Sequence, residues 1–528
     1  MKSKPVDASV RAAGWAVALV LAGGSLAGLR PGKERPNPPA GEAPAPPAAC
    51  ADGPALAAAE VEGLLLAAAG ALGGGTMTVA VVDRLGTPLG LFRQPAADPA
   101  NDDRAVGLAR TGAFFSHNQA PLSSRTVRFL SGVHFPPGVK RTPNAALYGI
   151  ENTNRGCDLG VVPNPGVTLP WSGALAGGVC KWPVVTGCGT GPVTGKEDVF
   201  DSDQSAVDPG GLPVFRHGEV LVGGIGVAGV PPAHAEFAAL EALRLRGFLP
   251  RPKPPGVVVI DGIRLPFVKQ TSRPPGTAAG PGFSSCGAVP APGGCVIAPA
   301  DGACAADGYL SGPVAGPPDL SLAEVTRIVQ QSVAAAARTR GVIRLPLGSR
   351  ARMAIAVGDR DGRILALYRM PDATIFSIDV AVAKARNVVW TSGAGAADLP
   401  GVPPGTAVTN RTIGFGAQPF YPPGIDGSGP GPFFDLFERD WMRPCTQGSQ
   451  PANPNQNGVV FFAGSVPLYE GATLVGGLGI SGDGVEQDDY VAYRGAEGFL
   501  PPRDRWADRR FVAGVRLPFL KFPRNPEG

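Results

Sequence analysis

The chain repeats itself. Thr78-Val79-Ala80-Val81-Val82-Asp83-Arg84 returns as Ala354-Ile355-Ala356-Val357-Gly358-Asp359-Arg360. Arg93, Pro95, Asp103, Arg110 and Ser116 return as Arg369, Pro371, Asp379, Arg386 and Ser392 at the same offset of 276 positions, with no gap. Further on, Phe135-Pro136-Pro137-Gly138 matches Tyr421-Pro422-Pro423-Gly424, and Val222 to Gly229 matches Val475 to Gly482. Gly247-Phe248-Leu249-Pro250 and Arg264 to Lys269 match Gly498-Phe499-Leu500-Pro501 and Arg516 to Lys521. Such a chain must build one structural unit twice. The offset falls from 286 at Pro-Pro-Gly to 253 at Val-Gly-Gly, so copy 1 carries 33 extra residues there.

Each copy mixes helix and strand. Leu322, Val325, Ile328, Val329 and Val333 have helical spacing, with Ser321 as N-cap and Glu324 three residues on; Pro54 to Ala69 is the copy 1 equivalent. Met353 to Gly358 and Ile364 to Tyr368 flank Asp361-Gly362, a strong hairpin signal. A helix over Ser377 to Trp390 follows, then strands near Val459 to Phe462 and Leu474 to Ile480, then a helix over Asp488 to Glu497. The order predicts an α/β protein of the α+β type: two tandem units, each a central antiparallel sheet packed with helices, with long Gly/Pro-rich insertions.

Around these units lie segments of other character. Lys2, Lys4 and Arg11 precede an uncharged stretch, Ala12 to Leu29, that resembles a secretory signal peptide or a short membrane anchor over residues 1–29. Residues 30–53 form a Pro-rich tether, 54–269 the first unit, 270–318 a Gly/Pro/Cys-containing linker and 319–523 the second unit. Export to the periplasm or cell surface follows. Eight cysteines without a C-x-x-C pair then predict disulfides rather than a metal site. A net charge of +4 without a basic run excludes nucleic acid as the expected partner.

A strand ending in Val-x-Asp-Arg, the helix motif Ala383-Lys384-Ala385-Arg386, and Val475 to Gly482 followed by Glu486-Gln487-Asp488 resemble the GlcG/HbpS-like haem-binding (haem-degrading) family. Copy 1 keeps Ala109-Arg110 and Val222 to Gly229 but lacks Glu-Gln-Asp. The resemblance implies haem, or another small molecule, as ligand. It also implies self-association, which two fused copies would satisfy as an internal pseudo-dimer, with further oligomerisation open. The Gly-rich motif itself has two readings: backbone approach to a ligand, or close packing of strand against its neighbours.

Candidate ligand residues follow. All four histidines, His117, His134, His217 and His234, fall in copy 1; His117, His134 and His234 are the candidates for haem iron. Arg110 and Arg386 are the shared candidates for a ligand carboxylate, with a structural role beside Asp83 and Asp359 as the alternative. Tyr421 and Tyr368 are candidates in copy 2, as are Glu486, Gln487 and Asp488, whose acidic pair equally suits a helix start. No Gly-x-Ser-x-Gly or His-Glu-x-x-His motif is present, so no catalytic residue is assigned. The leading reading is an exported binding protein for haem or a small ligand. The alternatives are an enzyme acting on a small carboxylic or hydroxylated substrate, and a surface-display protein whose pocket is lost.

Overall fold

In each copy a β-hairpin sits inside the sheet, with further strands paired on both of its sides. The computed structural model describes residues 55–131, 147–153, 157–167, 169, 208–251, 258–260, 263–299, 301–423, 425, 427–443 and 445–528. The signal-like segment, the tether, His134, Cys50, Cys180 and Cys188 lie outside them.

Copy 1 runs α1 (Ala58–Ala71), β1 (Thr78–Asp83), β2 (Pro88–Arg93), α2 (Asn101–Phe115), α3 (Ser124–Ser131), β3 (Gly211–Arg216), β4 (Val220–Ala228) and α4 (Pro232–Arg246). A two-residue ribbon follows, β5 (Val259–Ile260) with β6 (Ile263–Arg264). Next come β7 (Gly294–Ile297) and β8 (Gly308–Ser311). Copy 2 continues with α5 (Leu322–Ala336), β9 (Ala354–Asp359), β10 (Ile364–Arg369), α6 (Phe376–Ser392), α7 (Asn410–Gly416), α8 (Phe434–Met442), β11 (Ser465–Glu470), β12 (Thr473–Ser481) and α9 (Val485–Gly495). The two antiparallel sheets have strand orders β3-β4-β1-β2-β7 and β11-β12-β9-β10-β8. Their registers agree: Val79 faces Val227 and Val81 faces Ile225 in one, Ile355 faces Ile480 and Val357 faces Leu478 in the other.

Two local outcomes differ from the sequence reading. Residues 270–318 have no periodicity, yet they supply the outer strand of both sheets, β7 beside β2 and β8 beside β10. Val459 to Phe462 is buried but is not a strand. Side chains take its backbone bonds instead: Val459 N–H donates to Asp440 Oδ1 (2.7 Å), Val460 N–H donates to Asn387 Oδ1 (2.9 Å), and Asn410 Nδ2 donates to the Val460 carbonyl (2.6 Å).

Strand alternation sorts the two faces. Val79 and Val81 join a core with α1 and α4, and Ile355 and Val357 join one with α5 and α9. The opposite face carries small residues, Ala354 and Ala356, and receives α6. Two glycines of each motif belong to this face. A Cβ at Gly477 or Gly479 would run into the Ala385 and Ala381 carbonyls of α6, and one at Gly224 or Gly226 into the Ala109 and Ala105 carbonyls of α2. These glycines let helix backbone rest on strand backbone, the packing alternative raised for the motif.

The end of α2 also meets the start of α6. Phe115 stacks on Phe376 at 4.3 Å, and Ile375 N–H donates to the Phe114 carbonyl (3.2 Å). One hydrophobic cluster draws on both copies, including Ala109, Phe114, Phe115, Ala354, Ile375 and Phe376. A disulfide, Cys157–Cys445, ties copy 1 to copy 2; Cys286–Cys295 closes a local loop. Among the described residues no helix is long and apolar enough to cross a membrane.

Candidate functional site

A cavity of about 740 Å³ opens where copy 2 meets copy 1. Val342, Ile343, Phe415, Phe461 and Phe462 line it from copy 2, and Leu130, Leu147 and Val259 from copy 1. Four cations, Arg340, Arg411, Lys521 and Arg524, reach it against one carboxylate, Glu486. Two of the cations are partnered: Lys521 pairs with Glu486, and Arg411 with the buried Asp489 behind it. Arg340 Nη2 donates to the Asn525 carbonyl (2.8 Å), fixing the C-terminal segment as one wall.

Behind this outer cavity lies a small inner one of about 20 Å³. The two share Leu130, Leu147, Ile343, Phe462, Gly484 and Val485 as walls. The inner cavity is polar at its base, where His117, Asp483 and Asp488 line it.

A buried charge network surrounds that base. Lys384 is fully buried in α6; its Nζ donates to the Ile480 carbonyl (2.7 Å) and to Asp488 Oδ2 (3.1 Å), and lies 4.9 Å above the Phe462 ring. Burial lowers the Lys384 ammonium pKa and pushes the Asp488 carboxyl up to about 7, in each case partly offset by the charge of the other. Arg344 Nε donates to Asp483 Oδ2 (2.5 Å), and its Nη1 donates to Asp372 Oδ2 (2.6 Å). His117 comes from copy 1, with Nε2 3.5 Å from Asp483 Oδ1. Burial first, and then the Arg344 charge, lower its pKa to about 4.

Copy 1 keeps only part of this arrangement. By the repeat offsets Lys384 corresponds to Leu108 and Asp488 to Ala235, both buried. The neighbouring pair is kept: Arg125 Nε donates to Glu236 Oε1 (2.5 Å) where copy 2 has Arg411 and Asp489. In both copies that acid also accepts a backbone N–H, from Lys269 (3.1 Å) or Lys521 (3.0 Å), so the kept pair anchors the end of each unit. The Lys384–Asp488 pair occurs once.

The residues predicted from sequence are divided between the two cavities and positions outside them. Glu486 and Gln487 line the outer cavity, and His117 and Asp488 the inner one. Tyr421 stands behind the wall, packed edge-on to Phe415 with its hydroxyl donating to the Val512 carbonyl (3.2 Å). His234 sits near the start of α4, and Tyr368 packs edge-on to Tyr309 on the outer part of sheet 2. Neither lines a cavity described above.

Arg110 and Arg386 turn to the hairpins. Arg110 Nε donates to the Gly86 carbonyl (2.8 Å) and Arg386 Nε to the Gly362 carbonyl (2.9 Å). Arg386 further donates to Asn457 Oδ1 (3.0 Å) and the Leu159 carbonyl (2.7 Å). Burial lowers both guanidinium pKa values to about 10. Asp83 and Asp359 form the turns themselves, each Oδ1 accepting two backbone N–H groups. Arg386→Ala is expected to lower stability by about 3 kcal/mol in urea unfolding, since it strands several buried acceptors, while ligand affinity stays within about twofold.

Lys384, Asp483, Arg344 and Asp372 were not among the residues picked from sequence. One signal was available: a lysine at a repeat position where copy 1 has Leu108. Nothing in the spacing of Arg344 or Asp372 pairs them with residues more than a hundred positions away.

No curated protein matches the chain. Among solved structures, Klebsiella pneumoniae ORFY is similar at 19% identity, over 34% of this chain and 88% of that one, with a TM-score of 0.23. A PduOC–haem complex is similar at 22% identity over 34% and 95% (TM-score 0.23). A double mutant of Streptomyces reticuli HbpS is similar at 21% over 38% and 98% (TM-score 0.20). The family model for the haem-degrading protein HbpS-like matches residues 55–244 and again 320–497, more than half of the sequence, and the chain therefore belongs to the HbpS-like family as two tandem copies.

Proposed function

We propose that the chain is an exported binding protein that takes one flat, apolar, carboxylate-bearing ligand of the haem class, in the cavity of copy 2 closed by copy 1. The outer cavity carries this reading. Its volume of about 740 Å³ lies in the roughly 300–1,000 Å³ range of small-molecule sites, its walls are aromatic and aliphatic, and cations reach its edge. These residues fit a porphyrin: Phe415, Phe461, Phe462 and Ile343 would hold the ring, and Arg340 and Arg524 its propionates. Bound haem would supply redox-active iron. No His, Cys, Met or Tyr is among the described residues lining the outer cavity, so the fit rests on the ring and its carboxylates. The family description, a haem-degrading protein, supports the same ligand class. The two copies then act as an internal pseudo-dimer, each supplying walls to one site. Export is supported by the disulfides, which persist in oxidising compartments, and by the signal-like N-terminus.

The test is a haemin titration of the oxidised protein followed by visible absorbance. The expected result is a saturable shift at one haem per chain, with affinity about tenfold weaker in an Arg340→Ala, Arg524→Ala double variant, or about 1.4 kcal/mol. A featureless linear rise, or two equivalent sites, would overturn the reading.

A further inference from the structure

The inner cavity contains a hydrogen-bond donor and an acceptor that both lack a partner. His117 Nε2, 3.5 Å from Asp483 Oδ1 without a hydrogen bond to it, and Asp488 Oδ1 are buried with no hydrogen-bond partner, and both residues line this space. The roles of the two atoms are set by their neighbours. Gln119 N–H donates to His117 Nδ1 (3.2 Å), which places the imidazole proton on Nε2. Lys384 occupies Asp488 Oδ2, which leaves Oδ1 as an acceptor. Buried polar groups left unpaired are costly, a demand that one oxygen donating and accepting at once would meet. The cavity's volume of about 20 Å³ admits one water-sized group. Ile343, Phe462, Gly484 and Val485 separate it from the outer cavity and line both.

We propose that this inner cavity is a binding site for a single hydroxylic oxygen, which accepts from His117 Nε2–H and donates to Asp488 Oδ1. Its occupant is a water in the ligand-free protein, or a hydroxyl of a ligand that extends inward from the outer cavity. Only the second source rests on the proposed function. Copy 1 cannot form the same site, because Leu108 and Ala235 stand at the positions of Lys384 and Asp488.

Two measurements on the full chain decide it. The first is a high-resolution crystal structure of the ligand-free protein. One ordered oxygen within about 3.2 Å of both atoms is expected, and a dry cavity would overturn the site. The second compares protoporphyrin IX with haematoporphyrin, which carries hydroxyethyl groups, in the parent, His117→Phe and Asp488→Asn proteins. A preference of about tenfold for haematoporphyrin that both variants remove, with protoporphyrin still bound, supports the ligand hydroxyl as occupant. Equal affinities with the ordered oxygen present support water. If neither porphyrin binds, the proposed function fails, while the crystal structure still decides the inner site.

Discussion

Lys384→Leu is expected to destabilise the protein by about 3–5 kcal/mol, and adding Asp488→Ala is expected to recover most of that loss. The single change leaves the Asp488 carboxyl in a fully buried position without the ammonium that faces it, and strips the Ile480 carbonyl of its donor. The double change recreates what copy 1 holds at these positions, Leu108 and Ala235, both packed in its core. A buried ion pair costs more to break than to replace, because desolvation is charged to whichever partner remains. Gly464 sharpens the expectation: a Cβ there would meet both Asp488 Cβ (2.6 Å) and Lys384 Nζ (2.7 Å), so the space around the pair is already closed. A double-mutant cycle by urea unfolding checks it. A Lys384→Leu variant as stable as the parent, or a double variant no better than the single, would contradict the account.

Asp488 and His117 are expected to tilt the stability–pH curve in opposite directions. The Asp488 carboxyl rises from about 3.9 in the unfolded chain to about 7 in the fold, through burial only partly offset by Lys384. Between those values the folded state holds a proton that the unfolded state has lost, so this group's contribution declines as pH rises and is gone above about 7. His117 does the reverse. Its pKa falls from about 6.5 unfolded to about 4 folded, so the unfolded state holds the extra proton and stability increases with pH across that window. Each slope is about 1.4 kcal/mol per pH unit at most, and from about pH 4 to 6.5 they oppose each other. Relative to the parent, Asp488→Asn should gain stability with rising pH up to about 7, and His117→Gln should lose it between about 4 and 6.5. Thermal unfolding in closely spaced buffers reads both differences. Parallel curves for parent and variants would show that these groups do not titrate as described.

The legible part of this protein was whatever repeats locally. Ser321 and Glu324 form the capping box of α5, with Glu324 N–H donating to Ser321 Oγ (3.3 Å), and the Asp361-Gly362 turn joins β9 to β10. The duplicated Val-Gly-Gly segments become β4 and β12. Alternation, capping and turn chemistry act over a few residues, so one copy could be read from the other and the antiparallel α+β class followed. The connector strands were not legible, because β7 and β8 pair by backbone with hairpins already in place and need no side-chain pattern of their own.

The site lies between these two cases. Sequence singled out Glu486, Gln487, Asp488 and His117, and tertiary structure places all four on the walls of two adjoining cavities. It equally singled out Arg110 and Arg386, whose Nε groups go to the Gly86 and Gly362 carbonyls, because a buried guanidinium takes the nearest unpaired acceptors. The repeat, the capped helices and the central hairpins were determined by the sequence alone, since they rest on contacts near in the chain. Which copy carries the charged centre was written there too, in Leu108 against Lys384. Only the tertiary structure decided that His117 of one copy faces Asp483 and Asp488 of the other, because the end of α2 meets the start of α6 and unites residues that no local pattern connects.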